Sequence, residues 1–223
     1  MEIKAVIFDF DGPINDSFRE GLRRIEVIAG MHGIPFTKTE RQRIISLWGG
    51  PGAELLEKGL VIPKARAEEL YAKWELWDLL QSVPLVPGAR ETLRWNHGQK
   101  IVNTLLTSRN KKNLTDIFEK IGLANEFEII STRQDTLFPK PDPRAFEFVL
   151  RELSDRFDIS KKHCIFVGDN KTDILCGTAV RIETLVVMTG QYWLEDIAKY
   201  PIELKNILPS IDYLPEWIEK HQD

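Results

Sequence analysis

The sequence predicts an α/β fold: a doubly wound parallel sheet with an inserted α-helical domain. Three observations predict it. Short, continuous apolar runs recur along the chain, and amphipathic helical patterns alternate with them. One stretch of about 75 residues after the first run holds helical patterns and no convincing strand. Continuous apolar runs suit strands covered on both faces, as in parallel sheets, and strand–helix alternation reads as double winding.

The first strand is expected at Lys4–Asp9, where Ala5-Val6-Ile7-Phe8 is apolar throughout. The helical insertion follows, with candidate helices at Phe18–Ile28, Thr39–Trp48, Gly52–Gly59 and Lys64–Leu80. Trp74 and Trp77 sit three apart, the spacing of one helix face. Pro13 punctuates one end; Pro84 and Pro87-Gly88 punctuate the other. The expected division is therefore residues 1–12 and 88–223 as the α/β core and 13–87 as a helical cap. The alternative, helices that simply pack on the sheet, requires an uncommonly long crossover. Further strands are expected at Ile101–Thr107, Phe127–Ser131, His163–Gly168 and Thr184–Met188. Lys111–Ile121 carries Leu114, Ile117, Phe118 and Ile121 at helical spacing, and Pro143–Leu153 carries Phe146, Val149, Leu150 and Leu153. Asp142 is a suitable N-cap for the second, with Pro143 at the favoured first position.

Composition narrows the class. Of 223 residues, 43% are hydrophobic and 29% charged, values of an ordinary globular chain that exclude a disordered, collagen-like or disulfide-scaffold protein. Thirty Lys and Arg against 34 Asp and Glu give a net charge of -4, which argues against a dedicated nucleic-acid binder. No apolar run approaches the ~18 residues of a membrane span. The first apolar run reaches Asp9 after only four residues, too short for a signal peptide. Cys164 and Cys176 have no metal-ligand spacing and read as buried thiols in a reducing cytoplasm. A cytoplasmic monomer or homodimer without membrane or nucleic-acid partners is expected.

Four segments carry candidate chemistry. Asp9-Phe10-Asp11-Gly12 closes the first strand. Residues two apart in extended chain point the same way, so both carboxylates share one mouth at the carboxyl edge of the sheet, where open α/β sheets bind ligands. With 14 Asp in the chain, about one Asp-x-Asp pair is expected by chance, so the strand before it and the turn at Gly12 give the motif its weight. Gly168-Asp169-Asn170-Lys171-Thr172-Asp173 closes another apolar strand. Converging carboxylates repel, and a hard divalent cation such as Mg²⁺ resolves the repulsion; helix capping is the bland alternative for Asp169 and Asp173. Thr107-Ser108-Arg109 ends a third strand, where a hydroxyl and backbone N–H groups can hold a phosphate oxygen. In Pro139-Lys140-Pro141 two prolines fix the backbone around an ammonium that can neutralise a phosphoryl group or a carboxylate.

In this order, the four segments resemble the motifs of the haloacid dehalogenase superfamily, and most closely its phosphoglycolate-phosphatase-like branch with a helical cap. Asp9-Phe10-Asp11-Gly12 with Asp16-Ser17 resembles the first motif, Thr107 the second, Lys140 the third, and Gly168-Asp169 with Asp173 the fourth. The resemblance covers nearly the whole chain. It departs at Pro13, where Thr or Val is usual, at Ser108-Arg109 in place of Asn-Lys, and at Val180-Arg181 in place of Ala-Gly.

The resemblance implies a Mg²⁺-dependent phosphatase of a small phosphorylated metabolite. Asp9 is expected to attack phosphorus and form an aspartyl-phosphate, and Asp11 to act as acid and then base. Thr107 would hydrogen-bond a transferring oxygen and Lys140 would balance charge. Asp9, Asp169 and the backbone carbonyl of Asp11 would hold the metal, with Asp173 supporting it through water or orienting Lys140. Gly49, Gly50, Ser108 and Arg109 are carried as substrate-binding positions, the glycines because Leu47–Gly52 resembles the substrate-facing cap loop. Arg19, Arg23 and Arg24 read as a solvated helix face rather than a second anion contact, and the cap tryptophans as core. Three alternatives stand beside this reading. A sugar phosphomutase would use the same intermediate. A dehalogenase needs no second aspartate, so Asp11 argues against it. A non-catalytic binding protein sits poorly with the intact set of chemical residues.

Overall fold

The computed structural model describes residues 2–48, 52–191 and 194–222. Its sheet is built from β1 (Ala5–Phe8), β2 (Val102–Leu106), β3 (Ile129–Ser131), β4 (Cys164–Gly168), β5 (Glu183–Val187) and β6 (Ile207–Leu208). The strand order is β3-β2-β1-β4-β5-β6, and all five pairings are parallel. The fold is the doubly wound α/β sheet the sequence predicts, and β1 lies where the winding reverses, between β2 and β4.

The first strand shows why its apolar run is continuous. Val6 and Phe8 enter a core cluster on one face with Leu105, Ile165 and Val167, and Ala5 and Ile7 enter another on the opposite face with Phe166, Phe146 and Val149. Side chains alternate across a strand, so a sheet buried on both faces demands apolar residues at every position. The first face is covered by α5 (Ala89–Gly98), α6 (Lys111–Ile121) and α10 (Leu214–His221), which contribute Leu93, Phe118 and Ile218. The second is covered by α7 (Glu147–Phe157) and α8 (Lys171–Val180), which contribute Leu153 and Cys176. Asp142 caps as expected, accepting from the Arg144 N–H, but the turn it opens, Pro143–Phe146, is a 3₁₀ helix. Helix α5, the short α9 (Leu194–Ile197), α10 and β6 lie outside the sequence expectations.

The chain divides into two compact units, residues 1–16 with 85–223, and 17–84. The segments 13–16 and 85–87, expected with the insertion, belong to the α/β unit. Ile14 and Val86 are buried in its core, and the Val86 N–H donates to the Ile14 carbonyl. Within the helical unit, α1 (Ser17–Met31), α2 (Lys38–Leu47), α3 (Gly52–Leu60) and α4 (Lys64–Leu80) pack around Ile25, Ile44, Leu56 and Leu70. Among the described residues no helix is long and apolar enough to cross a membrane.

Candidate active site

Strand register gathers the polar residues. Phe8 at the end of β1 pairs with Leu105 of β2 and Val167 of β4. Asp9, Thr107 and Asp169 therefore follow their strands at one carboxyl edge, around the point where the winding reverses. Asp9 is held by backbone on both sides: its N–H donates to the Val167 carbonyl at 2.8 Å, and its Oδ1 accepts from the Phe10 N–H at 2.8 Å.

Lys140 ties this edge to α8. Its Nζ lies 3.1 Å from Asp9 Oδ2 and 2.6 Å from Asp173 Oδ1, with the lysine side chain 6% exposed and Asp173 fully buried. Asp173 Oδ2 also accepts from the backbone N–H of Asp169 at 3.1 Å and of Asn170 at 3.3 Å. Asn170 is the N-cap of α8, and its carbonyl side chain accepts from the Thr172 and Asp173 N–H groups. The pair forms a capping box that closes the first turn and sets Asp173 toward Lys140. Asp173 thus closes the first turn of a helix and pairs with the lysine at once.

One carboxylate oxygen each from Asp9, Asp169 and Asp173 lies within 4.8 Å of the others. Three carboxylates there meet one ammonium, since Lys140 supplies the ion pairs to this group among the described residues. The electrostatics register the surplus. Burial, opposed by Lys140 and joined by Asp173 and Asp11, leaves the Asp9 carboxyl raised to about 7. Burial, then Asp173 and Asp9, push Asp169 well above the carboxylate range. Burial opposes the charge on Lys140, but Asp173 and Asp9 outweigh it and leave the lysine above its ordinary value. Two glycines crowd Asp169. A Cβ on Gly12 (φ 100°) would stand 2.2 Å from its Cγ, and one on Gly190 would stand 2.0 Å from its Oδ2. The Thr189 hydroxyl, which follows β5, donates to the Gly12 carbonyl at 2.8 Å and fixes that turn. Hard oxygen donors, three carboxylates against one ammonium and a close backbone cradle fit a small divalent cation.

Asp11 is placed differently. Its carboxylate is turned to Arg109, whose Nε donates to Oδ2 at 2.7 Å and whose Nη2 donates to Oδ1 at 2.6 Å. The guanidinium stands 5.4 Å from the Phe10 ring centroid, and Asn15 Nδ2 lies 3.4 Å from Asp11 Oδ1. The Asp11 side chain is therefore outside the clustered carboxylates. Thr107 is buried at the end of β2, its Oγ1 accepting from the Arg109 N–H at 3.2 Å. Ser108 is exposed.

Gly49 and Gly50 lie outside the described residues. Trp48 beside them packs within the helical unit, edge-on to Phe18 at 5.2 Å and 6.0 Å from Trp74, and a Cβ on Gly21 would stand 2.4 Å from its ring. Arg24 is no part of a solvated face. It is 1% exposed, pairs with Glu20 and Asp78, and donates to the Gln81 carbonyl at 2.8 Å. Arg19 and Arg23 are exposed. Thr189 and Gly190 line this site without having been named from the sequence, and Asn170 stood in its segment there without a role. Asn170 was legible as an N-cap three residues before Asp173; Thr189 and Gly190 gave no signal beyond ending an apolar run.

The chain matches the haloacid dehalogenase-like hydrolase family over residues 6–187. A phosphoglycolate phosphatase of Pseudomonas fluorescens (strain Pf-5) is 24% identical over 197 residues, covering 84% of this chain and 70% of the relative. A phosphoglycolate phosphatase of Yersinia pseudotuberculosis is 25% identical over 205 residues, covering 88% and 85%. Among solved structures, a Thermotoga maritima protein assigned as a β-phosphoglucomutase superposes with a TM-score of 0.77 at 19% identity, covering 99% of this chain and 100% of that one, a likeness of fold.

Proposed function

This chain belongs to the haloacid dehalogenase-like hydrolase family and is an enzyme of its phosphatase type, and we propose that it hydrolyses small phosphorylated metabolites with Mg²⁺ through an aspartyl-phosphate on Asp9. The observation that carries this reading is the group of three carboxylates against one ammonium at the carboxyl edge of the sheet. Such a site is built to receive a divalent cation and a phosphoryl group together.

Asp9 and Asp169, with the backbone carbonyl of Asp11, would hold the cation. A bound cation supplies charge neutralisation between an anionic nucleophile and an anionic substrate. Asp9, fixed by the Phe10 N–H and by Lys140, offers one oxygen to phosphorus and gives a mixed anhydride, which water then cleaves. Phosphoryl transfer asks for positioning and charge balance more than for covalent chemistry, and Lys140 and Thr107 serve those ends. Lys140 stays protonated beside Asp9 and Asp173 and balances the charge of the nucleophile and the phosphoryl oxygens. The Thr107 hydroxyl hydrogen-bonds one of those oxygens. Asp11, two residues along the same turn, protonates the leaving alkoxide and later takes a proton from the attacking water.

A phosphate-release assay over a panel of phosphate monoesters, with Mg²⁺ and with a chelator, tests the reading. Free phosphate that depends on Mg²⁺ supports it. An isomeric phosphate ester in place of free phosphate would turn it into a phosphomutase, and no turnover on any ester would leave a binding protein.

A further inference from the structure

We propose that the amino edge of the sheet carries a second binding site, between the end of α8 and the starts of β5 and β6, for a free α-amino acid with an apolar side chain. The site takes no part in the chemistry at Asp9 and does not depend on the phosphatase reading.

A groove of about 340 Å³ lies there, a volume in the lower range of small-molecule sites. Glu183, on its wall, opens β5 and pairs with Ile165 of β4, whereas Asp169 follows the other end of β4. Four residues of strand, ~13 Å, separate Ile165 from Asp169, so the groove is no extension of the clustered carboxylates.

Two residues of the groove are out of the ordinary. Arg181 closes α8 in the left-handed region at φ 60°, and its N–H donates to the Gly177 and Thr178 carbonyls. Glycine is the usual residue at such a helix end, because a Cβ is disfavoured there. An arginine held in a conformation that glycine adopts freely points to a use for its side chain. That side chain lines the groove and makes no ion pair or hydrogen bond among the described residues. Asn206 has the converse character, being only 5% exposed. Its Nδ2 donates to Glu183 Oε1 at 2.5 Å, and since a carboxylate only accepts, this bond fixes which way the amide faces. Asn206 Oδ1 is left buried without a donor among the described residues. Buried acceptors are nearly always answered, and Asn206 lines the groove.

The ligand class follows from these groups. An ammonium supplies the donor that Asn206 Oδ1 lacks and the charge that suits Glu183; Glu203, the other acid of the groove, is answered by Lys205 at 3.0 Å. A carboxylate suits the guanidinium fork of Arg181. Ile174, Ile182 and Ile202 give the groove an apolar wall for an aliphatic side chain. A simple cation would face Arg181, and a simple anion would face Glu183 and bring Asn206 no donor. A zwitterion with an apolar side chain meets all three demands at once.

Titration calorimetry tests the proposal with L-leucine and two analogues: 4-methylpentanoate, which lacks the ammonium, and 3-methylbutylamine, which lacks the carboxylate. Wild type should bind L-leucine about 10-fold or more tightly than either, as expected for the loss of one charge-assisted hydrogen-bonding group. Arg181→Gly should bring the preference over the amine to about one and keep the preference over the acid. Glu183→Gln, which can still accept from Asn206, should do the reverse. Arg181→Gly also relieves the left-handed arginine, so its Tm should hold or rise, and its altered binding is then no result of unfolding. A merely structural Arg181 would leave both preferences unchanged. The proposal is overturned if wild type gives no saturable heat with L-leucine, if it binds either analogue as tightly, or if the two variants keep both preferences. Phosphate release is a separate readout: its absence on every ester would end the phosphatase reading and leave these binding ratios to decide the groove.

Discussion

Each unit of the chain buries a cation among carboxylates, and the two clusters are built to opposite ends. In the helical unit, Arg24 is 1% exposed and meets Glu20, Asp78 and the carbonyls of Gln81 and Ser82. Arg23 also pairs with Glu20, so two guanidinium groups face two carboxylates. The hydrogen bond from Arg23 outweighs partial burial and, with Arg24, holds Glu20 down at about 2. In the α/β unit, Lys140 meets Asp9 and Asp173 with Asp169 beside them, and burial lifts Asp9 to about 7. The first cluster is balanced and closed by backbone carbonyls. The second holds more carboxylates than its own cation answers. A balanced buried cluster fastens helices, while an unbalanced one at a strand edge is a place for chemistry.

The sharpest way to break this contrast is at the nucleophile. Asp9→Asn keeps the volume and loses the anionic attacking oxygen. Turnover should fall by ~10³-fold or more, measured as Mg²⁺-dependent phosphate release. Retention of more than about a tenth of the activity would remove Asp9 from that role. The same change lowers the local negative charge, so its thermal stability should hold or rise.

Arg24 should behave in the reverse sense. Arg24→Ala removes the guanidinium that Glu20, Asp78 and two backbone carbonyls had shared. Breaking a buried pair from one side costs about 3–5 kcal/mol, which urea unfolding would read. Turnover per folded molecule should change much less than in Asp9→Asn. A catalytic loss with unchanged stability would return Arg24 to the role of an anion contact.

These two residues also mark what the sequence makes legible. Asp9, Thr107 and Asp169 follow apolar strands, and parallel pairing carries strand ends to one edge, so their gathering there could be argued from pattern alone. Arg24 could not. One arginine among Arg19, Arg23 and Arg24 on a polar helix looks solvated, and its burial depends on Asp78 and on the carbonyls of Gln81 and Ser82, some 54 to 58 residues away. The pairing of Asp11 with Arg109 has the same origin, a contact across 98 residues. Helix α5 escaped because the apolar pattern of Ala89–Gly98 is thin, with Leu93 as its deepest large side chain. Thr189 and Gly190 escaped because a glycine required by a carboxylate's approach reads like any loop glycine.

Gly190 gives a narrower test of the unbalanced site. A Cβ there would stand 2.0 Å from Asp169 Oδ2. Gly190→Ala must therefore displace the carboxylate proposed to hold the cation, as must a side chain at Gly12. Mg²⁺ affinity should fall by about 10- to 100-fold, the range typical of disturbed supporting residues at metal sites. Raising Mg²⁺ should recover turnover in part. A loss of turnover that no concentration of Mg²⁺ recovers, with affinity unchanged, would locate the damage elsewhere.

The mildest perturbation is the cation itself, read through pH. Burial raises the Asp9 carboxyl to about 7, with Lys140 opposing and Asp173 and Asp11 adding, and Asp169 is raised as well. In the unfolded chain both titrate near ~4. Between about pH 4 and 7 the metal-free folded state therefore holds protons that the unfolded state has released. Stability contributed by these groups is lost as pH rises across that window. A divalent cation binds the ionised carboxylates, so it should answer this loss most fully where they are ionised. With Mg²⁺ at about 100 times its dissociation constant at pH 8, the gain is ~2.7 kcal/mol, or about 5–10 °C in Tm for a chain of this size. At pH 5.5 the same Mg²⁺ should shift Tm by under about 2 °C. Asp9→Asn should reduce the difference between the two pH values, whereas Arg24→Ala should lower Tm and leave that difference in place. Equal Mg²⁺ shifts at pH 5.5 and 8 would mean that the cation does not report on these carboxylates, and the contrast between the two clusters would lose its chemical half.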